Sequence, residues 1–235
     1  MEPASHNERY ASQRCRYCPI YPVDREQFSA SVERSPPLEA LIDQAWLGLE
    51  NNDTAAVKVP RGLCGIALDH GRAVRVLLPR VPVSAVALLR TQYESVVRAV
   101  WARHAARPSE LGRLVAPLTP ESQQTAKKLP GVPEMLAAIE RSGPAGAAAL
   151  LGRARTRLWD AMNSFIHGGI HPYQRGQEGY PAQMLIDVLK NTNALSILTL
   201  LVLAELANDA AVLRVIGTLH EEFQDVLPAL EAFER

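Results

Sequence analysis

Two stretches of this sequence carry polar side chains at spacings that suit acid–base chemistry on a phosphate. In the first, Arg90, Glu94 and Arg98 recur at every fourth residue, and Trp101 follows. In a helix all four fall on one face. Val86, Leu89, Tyr93, Val96, Val97 and Val100 spread over much of the remaining surface, so the charged stripe lies on or beside an apolar face. An Arg-Glu-Arg ladder next to a tryptophan is an array that lines a cleft or pairs inside a bundle. In the second stretch, Asn163 and His167 stand one helical turn apart just before Gly168-Gly169, with Trp159 and Asp160 ahead of them. The carbonyl end of a helix favours a cation, and a histidine held there suits general acid–base work. The two glycines leave room for a ligand to approach.

The same residues have plainer readings. Arg-x3-Glu-x3-Arg also describes a solvated salt-bridge row or a buried structural network. A histidine before Gly-Gly also serves as a helix C-cap. Asn163 alone reads as a buried hydrogen-bonding side chain. His104 lies one turn beyond the stripe, where it can join it. Arg153, Arg155 and Arg157 alternate, which scatters them around a helix and reads as a solvated face, with a phosphate contact as the lesser alternative. Cys15 and Cys18 form a single Cys-x-x-Cys, with Cys64, His6 and His70 as the remaining helpers. A zinc site usually draws on two such pairs, so no metal and no cofactor is expected.

The elements that must position these groups are helices. Ser84 to about Arg107 has Pro82 before it and Pro108 after it. Ala145 to His167 ends at the glycine pair, and Pro181 to about Asn208 is long and largely apolar. A last helix runs from about 210 to Phe233. Shorter helices are expected over Pro37–Asn51, Glu121–Lys128 and Pro133–Ser142, and a polar loop over 170–180. Residues 54–80, with Gly62, Gly65 and Gly71, read either as two short strands or as a loop with a brief helix. Residues 1–36 read as a weakly ordered N-terminal arm ending at Ser35-Pro36-Pro37, and 37–235 as a single domain. The expectation is all-α, with a bundle core made by the helices near 84–107, 145–168, 181–208 and 210–233.

Composition bounds the partners. The chain has 235 residues, 47% of them hydrophobic, which suffices for a core and excludes disorder throughout. Lys plus Arg and Asp plus Glu are each 25, so bulk charge does not coat this protein onto nucleic acid. A local basic pocket remains compatible with that balance. The longest apolar run, Ala194 to Ala204, is too short for a membrane span and reads as a buried helix. The polar N-terminus is followed by no apolar secretory segment, and three cysteines do not make a disulfide framework. A cytoplasmic protein without membrane association is expected.

The segment Leu-Leu-Arg90-Thr-Gln-Tyr-Glu94-Ser-Val-Val-Arg98-Ala-Val-Trp101, with the later Trp159-Asp-Ala-Met-Asn163-Ser-Phe-Ile-His167-Gly-Gly, resembles a group of bacterial helical proteins related to the HEPN superfamily (higher eukaryotes and prokaryotes nucleotide-binding). The resemblance covers roughly residues 84–205. It implies a four- to five-helix bundle, often a homodimer, and for many members a metal-independent ribonuclease of toxin–antitoxin, abortive-infection or other phage-defence systems. A cognate antitoxin is then an expected partner, and RNA the expected substrate. The usual motif has an arginine, then four to six intervening residues, then the histidine. Here the nearest upstream arginine is Arg157, ten residues from His167, so Arg90 or Arg98 would have to supply the guanidinium. In that scheme His167 is acid or base, Arg90 or Arg98 holds the phosphate, Glu94 orients the arginines, and Asn163 binds a ribose or phosphate oxygen. The competing expectation is a non-catalytic interaction module: an antitoxin, sensor or scaffold subunit in which the ladder is closed on itself and His167 only caps its helix. A helical-bundle metal hydrolase would need Glu-x-x-His pairs, which these segments lack.

Overall fold

Pro82 stands at the first turn of a helix that runs to His104 and carries buried side chains on most of its circumference. Such a helix needs neighbours on more than one side, and the rest of the chain supplies them. A computed structural model describes residues 25–47 and 54–229. His6, Cys15 and Cys18 lie outside the described residues. Among the described residues there are ten α-helices and no strand: α1 (Arg25–Leu47), α2 (Ala55–Leu77), α3 (Pro82–His104), α4 (Pro108–Val115), α5 (Pro120–Ala126), α6 (Val132–Ser142), α7 (Ala147–Ile166), α8 (Ile170–Glu178), α9 (Ala182–Ala207) and α10 (Ala210–Glu222). A short 3-10 turn, Gln224–Val226, follows. The all-α expectation holds; these ten helices exceed the expected four- to five-helix bundle with its three shorter helices.

α2 and α3 form a helical hairpin through the tight turn at Leu78–Val81. α9 packs across α1, α2 and α3, while α6 and α7 cover the other side of α3. The two sides of α3 can be told apart by consecutive residues. Gln92 donates from Nε2 to the Thr192 carbonyl of α9 at 3.1 Å, and Tyr93 donates its hydroxyl to the Leu151 carbonyl of α7 at 2.9 Å. α9 is apolar and long enough to cross a membrane, yet most of that stretch is buried inside the protein.

Most of 54–80 is neither strand nor loop but the continuous helix α2, Ala55–Leu77. Its glycines do not break it, because one of them is required by a close approach. A Cβ at Gly71 would stand 2.7 Å from Gln92 Nε2 and 3.1 Å from Ser196 Oγ. Both partners are buried and hydrogen-bonded, so neither can yield cheaply. Gly71→Ala is therefore expected to destabilise the protein by about 1–3 kcal/mol, the usual cost of overpacking. Thermal melting checks this, and an unchanged midpoint would mean that the α2–α3–α9 contact is loose.

Other boundaries also shift. α1 begins at Arg25, ahead of the expected Pro37, and runs through Pro36 and Pro37. Both rings lie on its exposed side, and neither has a backbone N–H to give to the helix ladder. Buried Phe28, Leu38 and Ile42 hold the helix on the core across the interruption. Residues 25–36 are thus helical rather than part of a weakly ordered arm. Residues 170–178 are helix rather than loop, with Pro172 in the first turn of α8. α4 opens on a capping box in which Glu110 accepts the Arg107 backbone N–H at 2.8 Å. The last helix stops at Glu222, short of Phe233, and the chain turns so that Phe223 and Leu227 are buried. Pro228 bars helical continuation there.

Candidate functional site at the seam of α3 and α7

Arg90 and Glu94 are joined along one helix face, Nε to Oε1 at 2.9 Å. Arg90 also donates from its NH1 nitrogen to Asn163 Oδ1 of α7. The two stretches singled out in the sequence therefore meet, although 73 positions separate them. The Arg90 guanidinium stacks over the Trp159 ring, 4.3 Å from its centroid. Trp159 in turn meets Tyr93 edge-on, with centroids 6.4 Å apart. Arg90 is mostly buried and Glu94 is one-third exposed, at 15% and 33%, so the pair sits at the rim of the seam.

The helices run antiparallel. Arg90 meets Asn163, Tyr93 reaches back to Leu151, and Val100 and His104 share a cavity with Gly146 and Ala147. That direction decides which candidates can cooperate. From the Arg90–Asn163 level, Arg98 lies about 12 Å one way and His167 about 6 Å the other way along the axis, at 1.5 Å per residue. Arg98 and His167 therefore do not share one cleft within a chain. His167 is the C-cap residue of α7, is exposed, and follows Asn163 on the same edge. Gly168 continues in the left-handed region at φ +64°, where a side chain would be strained. The turn lets Ser164 Oγ accept the His171 backbone N–H at 3.1 Å.

Arg98 is half-buried, and its Nε is buried without an acceptor. Trp101 is in the core rather than beside the ladder. His104 does not join the stripe either. It pairs with Glu205 of α9, Nε2 to Oε2 at 3.0 Å. Burial holds its pKa below the ordinary histidine value of 6.5, with Glu205 opposing the shift and Arg103 adding to it. The unfolded chain then takes up this proton at higher pH than the folded one, so stability falls as pH drops through about 6.5 and below. Melting temperatures between pH 7.5 and 5.5 should fall less steeply in His104→Gln than in the parent protein. Parallel slopes would remove His104 from the acid response.

One residue read as solvated belongs to the seam. Arg155 lies on α7 with its guanidinium 5.0 Å from the Trp159 centroid, and its Nε is buried without an acceptor. Its charge is also felt at the Tyr93 hydroxyl, whose pKa burial raises and Arg155 opposes. Arg155 was recognisable in the sequence: with Leu151, Trp159 and Met162 it follows helical spacing on one face. Arg153 and Arg157 instead line a groove between α7, α9 and α10. Thus one indole carries two guanidiniums, lying within about 9 Å of each other by their distances to it. Like charges this close repel one another. Glu94 offsets Arg90, and among the described residues no carboxylate forms an ion pair with Arg155.

A second polar cluster escaped the sequence reading. Arg75 at the end of α2 is buried, donating from Nε to Asn193 Oδ1 at 3.0 Å and from NH2 to Ser196 Oγ at 2.9 Å. Glu39 of α1 approaches its NH1 at 3.7 Å. Asn193 completes the set by donating to Ser35 Oγ and to the Val226 carbonyl, each at 3.1 Å. These groups tie α1, α2, α9 and the 3-10 turn together and bond chiefly to one another, which makes them a structural network. Cys64 is equally inert: burial pushes its thiol up. Among the described residues no group of three His, Cys, Asp or Glu side chains is placed to hold a metal ion.

Neither a curated protein nor a solved structure matches this chain. Residues 64–229 match the model of a family of unknown function, DUF6988. The matched region runs from Cys64 in α2 to the segment after the 3-10 turn, and so takes in the whole α3–α7 seam and Arg75 with its α9 partners. The chain is a member of that family.

Proposed function

We propose that this protein is a HEPN-like, metal-independent ribonuclease of a bacterial defence or toxin–antitoxin system, acting in the cytoplasm on RNA. The observation that carries the reading is the meeting of Arg90 and Glu94 with Asn163, one turn from an exposed His167. In the proposed reaction His167 takes the proton from a ribose 2′-hydroxyl. The resulting oxyanion attacks the adjacent phosphorus, the bond to the 5′-oxygen breaks, and that oxygen leaves protonated. The products are a 2′,3′-cyclic phosphate and a 5′-hydroxyl end. Arg90 holds the phosphate as charge accumulates on it, Glu94 fixes Arg90, and Asn163 contacts a ribose or phosphate oxygen. With His167 as the base, a homodimer would bring a second His167 as the acid.

A specific observation favours a second reading. Ile166, Ile170 and Tyr173 are exposed at 38%, 63% and 69% around His167, as on a surface that meets a protein partner. In that reading the chain is a non-catalytic interaction module, such as an antitoxin, sensor or scaffold subunit, and His167 is only a cap. Incubation of total RNA and tRNA with the purified protein in EDTA, beside His167→Ala, separates the two. Cleavage lost in the variant supports the ribonuclease. Folded protein, free of any inhibitory partner, that cleaves nothing supports the interaction module.

A further inference from the structure

We propose that Arg155 and Arg90, flanking Trp159 in the α3–α7 seam, form a binding site for a phosphate-class oxyanion. The inference deepens the ribonuclease reading by naming a second group for the phosphate. It stands on its own observations, however, and its test does not depend on cleavage.

Arg155 is the reason. A buried guanidinium nitrogen without an acceptor is costly, because burial removes the water that would have bonded to it. The Arg155 Nε is in that state. Its guanidinium lies over the face of Trp159, and the same ring already carries Arg90 at 4.3 Å. Glu94 is committed to Arg90. The Tyr93 hydroxyl cannot act as the counter-anion, because burial keeps it protonated and it is occupied in donating to Leu151. Two cations on one indole with a single carboxylate between them leave a local excess of positive charge. An oxyanion with several oxygens relieves it.

Phosphate suits the site better than a carboxylate. Guanidinium nitrogens pair with its oxygens at about 2.7–2.9 Å, in a fork that phosphate geometry matches. Several oxygens around one phosphorus can serve two guanidiniums approaching from different sides. The indole between them is also a surface on which a nucleobase attached to that phosphate can stack. The chemistry is shared by free phosphate and by the phosphodiester of RNA, and the experiment separates these sources.

The test is thermal melting of the full chain in inorganic phosphate, in a 2′-O-methyl oligoribonucleotide that cannot be cleaved, and in chloride of matched ionic strength. At about ten times the dissociation constant, phosphate should raise the midpoint of the parent protein by about 4 °C above chloride. Arg155→Gln should abolish that rise without lowering the midpoint in chloride, since it removes a half-buried guanidinium whose Nε lacks an acceptor. Arg155→Lys keeps the charge but lacks Nε and the fork, and should weaken phosphate binding at least tenfold while preserving the fold. It therefore carries the test if the glutamine variant fails to fold. A rise with phosphate but none with the oligoribonucleotide supports the site and assigns it to a free phosphate, which counts against RNA as the substrate. No rise in the parent protein, or an undiminished rise in the Arg155 variants, overturns the proposal.

Discussion

Arg75→Met is expected to melt about 10 °C below the parent protein, because breaking a buried charged network costs about 3–5 kcal/mol in a chain of this size. The side chain is 8% exposed and bridges α2 to α9 through Asn193 and Ser196. Burial draws its pKa down, and Glu39 opposes that shift. An arginine nevertheless remains charged at any pH where the protein is folded, so the folded state carries this cation permanently. Methionine fills most of the volume but donates nothing. Asn193 Oδ1 then loses its charged donor inside the core, and a hydrogen bond from a charged group is worth about 1.5–3 kcal/mol. Glu39 keeps contact with water and with Arg72 at 2.9 Å, so Glu39→Gln should cost much less. Arg75→Lys should fall between, since an ammonium cannot reach both Asn193 and Ser196 as a planar fork does. Denaturant melts of the three variants check the order. A neutral Arg75→Met would mean that the network contributes nothing beyond what packed apolar groups supply, which some buried ion pairs do.

The contrast between Arg75 and Arg90 shows what spacing can and cannot reveal. α3 and α7 were legible because proline and glycine bracket them and their apolar residues recur at helical period. Arg90, Glu94, Asn163 and His167 are singled out on that basis. Arg75 obeys the same rule, since Cys64, Leu68, Gly71 and Arg75 follow one buried stripe of α2. It was missed because the glycines of 54–80 read as breaks. What made α2 a helix is the fit of Gly71 against Gln92 and Ser196, a long-range contact that local sequence does not display. α1 is a similar case: two prolines signal the start of a helix, and only its packing on α9 accounts for the turns ahead of them. The failure at Arg98 is of another kind. Helical spacing puts Arg98 on the ladder and His167 on its own helix edge, but not the relative direction of the two helices. Antiparallel packing carries these two residues apart and leaves Arg90 as the arginine beside Asn163.

That same direction sets the largest functional effect. In the ribonuclease reading, His167→Ala should lower RNA cleavage by about 10²–10⁴-fold, the usual contribution of a positioned acid or base. Arg90→Ala should cost about 10²–10³-fold, as loss of a group that stabilises developing charge does. Arg98→Ala should cost less than about tenfold, because along the helices Arg98 lies about 18 Å from His167. The three variants therefore rank by axial position rather than by resemblance to a motif in which either arginine would serve. Melting temperatures measured alongside separate this from unfolding, since His167 is exposed and its removal leaves the core intact. Product ends give a second readout: a 2′,3′-cyclic phosphate requires attack by the neighbouring 2′-hydroxyl, whereas a 5′-phosphate end would demand an activated water. Equal losses for Arg90→Ala and Arg98→Ala would sink the single-chain geometry and point to a site assembled between two copies, where the α3 stripe of one chain faces the α7 end of the other.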